Sequence, residues 1–349
     1  MSDRNAARDQ VAPRDRIGSL AQVARVDSFI EAEGAACGAR RLRLVNGGGL
    51  EIEVHPDRAL DLGQVTVGGV PVAWISPTGI TGPEAAEPFG SGWLRTFGGG
   101  MLATCGLDTF GPPAEDDGEV FGQHGRIGTQ RATIVRAEAD EAGVVVEGVV
   151  RQASVFGEHL VLRRRISSAL GSDTVRIDDV VTNEAFHAQP HMVLYHFNLG
   201  WPLLGDRTTI DIPAERVTPR DADAAAGLGE HTVFGAPTPG FREQVFIHRL
   251  GTAEPVQVVV ANPDNGLEWT LSVDGAQLPT VFQWKMAGQG HYALGIEPAN
   301  THHMAGRAAA RAAGELPMLA AGESARYSVE FRLRRVDTVG EASVTEEAV

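Results

Sequence analysis

The sequence predicts an all-β protein of mostly antiparallel strands with few short helices, on three observations. Its 42 glycines and 19 prolines punctuate the chain at short intervals. The segments between them alternate in polarity or run in β-branched residues, and stretches of high helix propensity are scarce. A chain of 349 residues with this pattern is read as one large domain over 17–338, because sandwiches of such length are common as single units. A disordered tail is expected over 1–16 and a flexible one over 339–349.

Taken in order, Leu42–Val45, the turn Asn46-Gly47-Gly48-Gly49 and Leu50–Val54 read as a hairpin whose turn residues tolerate positive φ. Val65–Val67 and Val70–Trp74 around Gly68-Gly69 read as a second. Further strands are expected at 132–137, 143–152, 158–167, 173–181, 190–199, 245–250, 255–261, 268–273, 280–286, 291–297 and 325–334. The clearest helix is the alanine-rich 304–313, stopped by Gly314. The Asp/Ala run at 221–226 is expected to be a surface loop.

Composition narrows the function. Apolar residues at 43% and charged residues at 21% suffice for a sizeable core. Thirty basic against 45 acidic residues give a formal charge of -15, which repels phosphate backbones and anionic membranes, so neither nucleic acid nor a membrane is an expected partner. Cys37 and Cys105 show no CxxC spacing, the first residues lack a signal-peptide core, and no apolar run approaches membrane-spanning length. These features suggest a reduced cytoplasmic setting.

Several segments carry residues able to do chemistry. In Pro190–Gly200, apolar residues occupy both faces, as in a central covered strand, while His196 and Asn198 share one face. Buried and unpaired, such groups cost about 1–3 kcal/mol each, so they need a ligand or a core partner such as a neighbouring carbonyl. In His291–Pro298, alternation sets Glu297 beside Gly295 and Ala293, which leaves a space for a sugar ring or for a large side chain from elsewhere. His124 and Arg126 lie in a glycine-flanked loop, where backbone approaches a ligand closely or is simply solvated. Arg58 and Asp61 near a strand end read equally as an ion pair or as partners of sugar hydroxyls. Trp284 and Lys285 supply an aromatic plane and a cation; the tryptophan reads equally as core. Tyr292, in the Glu297 segment, completes the set of sugar-contact candidates.

Together these segments resemble the galactose mutarotase superfamily, and more closely its bacterial aldose 1-epimerase-like branch. The resemblance spans roughly residues 22–335, carried by RALDLG at 58–63, GGGMLATCGLD at 98–108, GQHGR at 122–126, YHFNLGWP at 195–202 and WKMAGQGHYALGIEPAN at 284–300. It implies a β-supersandwich acting on a free sugar as an aldose 1-epimerase, without metal or organic cofactor. By motif, Glu297 matches the general base, His124 the ring-binding histidine and Arg58 the substrate arginine. The superfamily places its acid histidine four residues before the asparagine of Phe-Asn-Leu, where this chain has Leu194. His196, two residues on, keeps the same strand face and is the candidate acid. No residue matches the aspartate that many mutarotases use for sugar hydroxyls.

The implied reaction has Glu297 take the anomeric proton while His196 or His124 protonates the ring oxygen, opening the ring for rotation and reclosure. One alternative is C–H proton abstraction from an oxidised or acidic sugar, with Lys285, Arg58 or Arg126 stabilising the anion; another is a non-catalytic sugar-binding module. A metal at His302-His303 or at His191 with His196 is not expected, since adjacent histidines on a strand face opposite ways and no HExxH spacing is present. The expected partner is a small carbohydrate, with homodimerisation left open.

Overall fold

The alternating segments assemble into two large sheets in the computed structural model, which describes residues 14–336. The expected tails fall outside the described residues, except that Arg14–Arg16 forms one 3-10 turn. The front sheet has 11 strands, running in space Arg25–Ile30, Arg40–Val45, Leu50–His55, Asp61–Val67, Leu102–Cys105, Leu194–Leu199, His291–Ala299, Thr280–Gly288, Gln244–Arg249 and Arg216–Pro219, with Val70–Pro71 beside Asp61–Val67. The back sheet has nine, in the order Val233–Phe234, Thr208–Asp211, Pro255–Asn262, Leu267–Asp274, Ser324–Arg335, Thr174–Asn183, His159–Ala169, Gly143–Ala153 and Ala132–Asp140.

The two sheets face each other across one apolar core. Along the central Leu194–Leu199 strand, Tyr195 and Phe197 point inward; the Phe197 ring lies 5.6 Å from that of Trp269 and 6.0 Å from that of Phe331, both on the back sheet. Period-two alternation then sends Leu194, His196 and Asn198 to the outer face. That face carries the cavity described below.

A buried charge cluster crosses the core. Arg164, on the back sheet, bonds to Asp179 through Nε (2.9 Å) and Nη2 (2.7 Å), and through Nη1 to Asp61 (3.2 Å) and the Thr104 hydroxyl (2.9 Å) on the front sheet. Asp61 also accepts from the Thr104 amide and hydroxyl, and Tyr195 donates to Asp179 at 2.7 Å. The cluster is tolerable in the core because its charges are opposed and their bonding capacity is used.

Most expected strands form within one or two residues of their predicted ends, and the all-β fold is confirmed. Four local expectations are corrected. The second arm of the Gly68-Gly69 hairpin is a strand only at Val70–Pro71 and does not reach Trp74. The strand expected at 190–199 is broken: Gln189–Pro190 pairs with Met318–Leu319, and pairing within the front sheet starts at Leu194. Pro190 has no N–H to continue a ladder, and the next amides bond to Pro317 O, Leu107 O and the Asn300 side chain. The Asp/Ala run is a short helix, Ala222–Gly227, because the Asp221 side chain caps it by accepting from Ala224 N. The C-terminal helix covers only Arg307–Ala312, since residues 301–306 are spent in a turn ahead of it.

Candidate active site

On the outer face of the front sheet lies a cavity of about 540 Å³, large enough for a monosaccharide. Its floor comes from the adjacent strands Leu194–Leu199, His291–Ala299 and Thr280–Gly288, which present His196, Glu297, Trp284 and Met286. Its walls come from the loops carrying Trp74, Trp93, Phe97 and His124, and from Arg220 and Glu243 at the sheet's far edge.

Glu297 and His196 meet at the bottom, with Oε1 3.2 Å from Nε2 and both side chains almost wholly buried. Gly295 makes this possible. A Cβ there would lie 2.6 Å from Glu297 Oε1, 3.0 Å from Trp284 Cβ and 3.2 Å from the His196 ring. The space that the sequence left above Gly295 is thus filled by the Glu297 carboxyl itself, folded back along its own strand, and the sugar-sized space lies further out.

Burial sets the protonation states. It pushes the Glu297 carboxyl up to about 8, with nearby Glu243 acting in the same direction and Arg220 against it. Burial, reinforced by His124, pushes His196 down to about 3. His124 is lowered to about 4, again by burial. Both members of the 3.2 Å pair therefore favour their uncharged forms, with the carboxyl proton donated to Nε2. Nδ1 of His196 and Nδ1 of His124 are buried without a protein partner.

His124 is held by its backbone at φ 60°, with its amide bonded to Gly111 O and its carbonyl accepting from Gly106 N. Gly125 must follow it, because a Cβ there would come within 2.5 Å of two carbonyl oxygens. The imidazole leans on Trp93 at 4.4 Å and lies 5.9 Å from the His196 ring, edge to face. Phe97 stacks on Trp93 at 4.0 Å, and Trp74 meets Trp284 edge-on at 5.7 Å, which completes an aromatic enclosure. At the rim Trp284 Nε1 donates to Glu243 (2.9 Å), and Arg220 bridges Glu243 (3.0 Å) and Asp221 (2.8 Å).

Of the residues singled out by sequence, Glu297, His196, His124 and Trp284 line this cavity, and the others lie elsewhere. Asp61 is committed to Arg164 and Thr104 in the core. Arg58, half-buried, lines a small void of about 30 Å³ together with Trp93 and Phe97, its Nη2 donating to Thr96 O at 3.1 Å and its Nη1 without a protein partner. Arg126 does not line the cavity and is shared among Glu119 at 2.7 Å, Glu158 at 3.5 Å and Asp108 at 3.8 Å. Asn198 shares the outer face of its strand but bonds to Gly100 O and His196 O. Lys285 and Tyr292 have the opposite parity to Trp284 and Glu297, so they turn away, donating to Glu230 O and Gly235 O, both at 2.8 Å. His191 is satisfied by Leu107 O and the Tyr327 hydroxyl.

Sequence reasoning missed Trp74, Trp93, Phe97, Arg220 and Glu243. Tryptophan was the available signal, since three of the chain's five line one cavity. Arg220 and Glu243 gave none: they are brought together across 23 residues by strand pairing at the sheet edge.

Residues 36–333 match the family model described as "Domain of unknown function (DUF4432)". No curated protein matches the chain in sequence. Among solved structures, the chain is similar to a candidate aldose 1-epimerase from Klebsiella pneumoniae, with a TM-score of 0.82 and 24% identity over 88% of this chain and 83% of that one. It is similar to a galactose mutarotase-like protein from Clostridium acetobutylicum (TM-score 0.65, 12% identity, 89% and 98% covered). A galactose 1-epimerase from Lactobacillus acidophilus is a third (TM-score 0.58, 13% identity, 89% and 99% covered). At these identities the likeness establishes the fold, the galactose mutarotase-like β-supersandwich. Among the described residues, no helix is long and apolar enough to cross a membrane.

Proposed function

The chain belongs to the DUF4432 family, and from that starting point we propose that it is an aldose 1-epimerase, interconverting the anomers of a free sugar by acid–base ring opening. The observation that carries this reading is the buried Glu297–His196 pair, 3.2 Å apart at the floor of an aromatic cavity. Mutarotation needs one group that holds a proton and one that lacks it, both within reach of the anomeric hydroxyl and the ring oxygen. An uncharged carboxyl and an uncharged imidazole meet that requirement as well as a carboxylate and an imidazolium do.

Ring opening moves one proton off the anomeric oxygen and one onto the ring oxygen. The open aldehyde therefore leaves the acid and base with exchanged protonation, and closure on the other carbonyl face restores them. In the uncharged resting state favoured by burial, Glu297 gives its proton to the ring oxygen and a histidine accepts the anomeric one; closure runs both transfers backwards. This reverses the assignment implied by the family resemblance for the opening step. His124 serves as the second group, since its Nδ1 has no protein partner and its ring lies 5.9 Å from that of His196. Tryptophan faces stack on the apolar faces of the ring, and Glu243 with Arg220 offers an acceptor and donors to hydroxyls at the rim.

The charge at the cavity favours this over proton abstraction from an acidic sugar. That alternative drew on Arg58, Arg126 and Lys285, and all three lie off the cavity. Arg220, which does line it, is already shared between two carboxylates. The test is saturation-transfer NMR between anomers across neutral aldoses, uronates and sugar phosphates, comparing wild type with Glu297→Gln. Accelerated exchange that falls by about a hundredfold or more in the variant supports the proposal. Binding without acceleration would leave a carbohydrate-binding module, and deuterium entering carbon from heavy water would leave the C–H abstraction reading.

A further inference from the structure

Beyond the sugar cavity, the chain brings two histidines and a glutamate to one point. The His291–Ala299 strand ends before His302 and His303, so the alternation expected to separate them does not apply. They sit in a tight turn, closed by Met304 N on His302 O and Gly306 N on His303 O. Their rings lie with centroids 4.2 Å apart, tilted by 33°. Both Nε2 atoms converge on one oxygen, Glu315 Oε2, at 3.2 Å from His302 and 2.8 Å from His303. All three ligand-type atoms lie within 4.8 Å of one another.

The hydrogen bonding of this cluster is in conflict. Arg249 Nη2 lies 2.6 Å from His302 Nε2. A guanidinium only donates, so that nitrogen accepts and carries no proton. Its one lone pair is taken by Arg249, so it presents no donor to the carboxylate oxygen 3.2 Å away, an acceptor against an acceptor. A cation relieves this by taking that lone pair from Arg249.

We propose that His302, His303 and Glu315 form a binding site for a divalent transition metal of the zinc class. With metal–ligand bonds of about 2.0–2.1 Å, tetrahedral coordination separates ligand atoms by about 3.4 Å. The observed 2.8 and 3.2 Å need only a small outward movement. Two imidazoles with one carboxylate suit Zn²⁺, Co²⁺ or Ni²⁺, whereas Mg²⁺ and Ca²⁺ prefer all-oxygen sites. His302 and His303 precede the Arg307–Ala312 helix and Glu315 follows it, so the ion ties the two ends of that helix together. Arg249 opposes it, holding the His302 lone pair and placing a positive charge alongside. Binding at Nε2 also replaces the His303–Glu315 hydrogen bond. None of this depends on the sugar reading.

The test is titration of the full-length, chelator-stripped protein with Co²⁺, followed by displacement with Zn²⁺. The expected result is one Co²⁺ per chain, with the visible absorption of four- or five-coordinate cobalt, lost on adding Zn²⁺. His303→Ala and Glu315→Gln each weaken binding by more than about tenfold, and Arg249→Ala strengthens it several-fold. Glu315 is exposed, so its variant folds, and unchanged melting of the metal-free protein checks this. Absence of stoichiometric binding, binding indifferent to both ligand variants, or weaker binding in Arg249→Ala overturns the proposal.

Discussion

Replacing Glu297 with glutamine removes a proton that the fold holds against its ordinary affinity, and the consequence for stability has a definite sign. Burial raises this carboxyl from its ordinary 4.5 to about 8. Between those values the folded protein keeps the proton and the unfolded chain has lost it, so stability falls as pH rises through that window. At about 1.4 kcal/mol for each tenfold change in proton affinity, the loss between about pH 5 and about pH 8.5 is of order 4 kcal/mol. Glutamine does not titrate, and its amide still reaches His196. The histidines of the cavity are lowered rather than raised, so their cost falls below their ordinary value of 6.5, is common to both proteins and cancels in the difference. Urea unfolding of wild type and Glu297→Gln across this range should show the variant gaining on wild type by a few kcal/mol as pH rises, with m unchanged. A difference independent of pH would mean that Glu297 titrates alike in both states, and the uncharged pair with His196 would have to be abandoned.

Gly295→Ala places a methyl group 2.6 Å from Glu297 Oε1; the displaced carboxyl should lower kcat by about a hundredfold, read by anomer-exchange NMR on protein with an unchanged circular dichroism spectrum. Trp284→Ala should raise KM for the sugar by about tenfold through lost stacking and release of Glu243, whereas Arg126→Ala, off the cavity, should leave both kcat and KM within about twofold. Asp61→Asn removes one of the two carboxylates on Arg164 and should cost about 3 kcal/mol in chemical denaturation; loss of sugar affinity at full stability would instead make Asp61 a ligand contact.

The fold was legible because it is written in local patterns. Period-two alternation and glycine-rich turns mark nearly every long strand, and the same alternation set Glu297 beside Gly295 on one strand and His196 beside Asn198 on another. Where the sequence misled, tertiary pairing had decided the matter. Asp61 and Lys285 carry chemistry-bearing side chains in motif-like surroundings, yet each is held by a partner distant in sequence, Arg164 and Glu230 respectively, and Arg58, bonded to Thr96 O, lies off the cavity. Parity alone could have excluded Lys285, one residue from Trp284, and Tyr292, whose alternation opposes that of Ala293, Gly295 and Glu297. The aromatic walls come from loops, where no periodicity reports which way a ring points. The adjacent histidines at 302 and 303 were judged by strand geometry, although the strand had ended at Ala299.

The placement of the pair also follows from what lies beneath it. His196 is flanked along its strand by Tyr195 and Phe197, one tied by its hydroxyl to Asp179 and the other packed on Trp269 and Phe331. The neighbouring strand places Leu294 and Ile296 in the same core, on either side of Gly295. Each strand that carries a cavity residue is therefore fixed on its inner face, and the buried Arg164 cluster joins that inner face to the back sheet. A carboxyl whose proton is held by burial requires such packing, because any opening that admitted water would return it toward its ordinary affinity. The cavity can keep its outer walls on loops because Glu297 and His196 stand on two adjacent strands packed on the core.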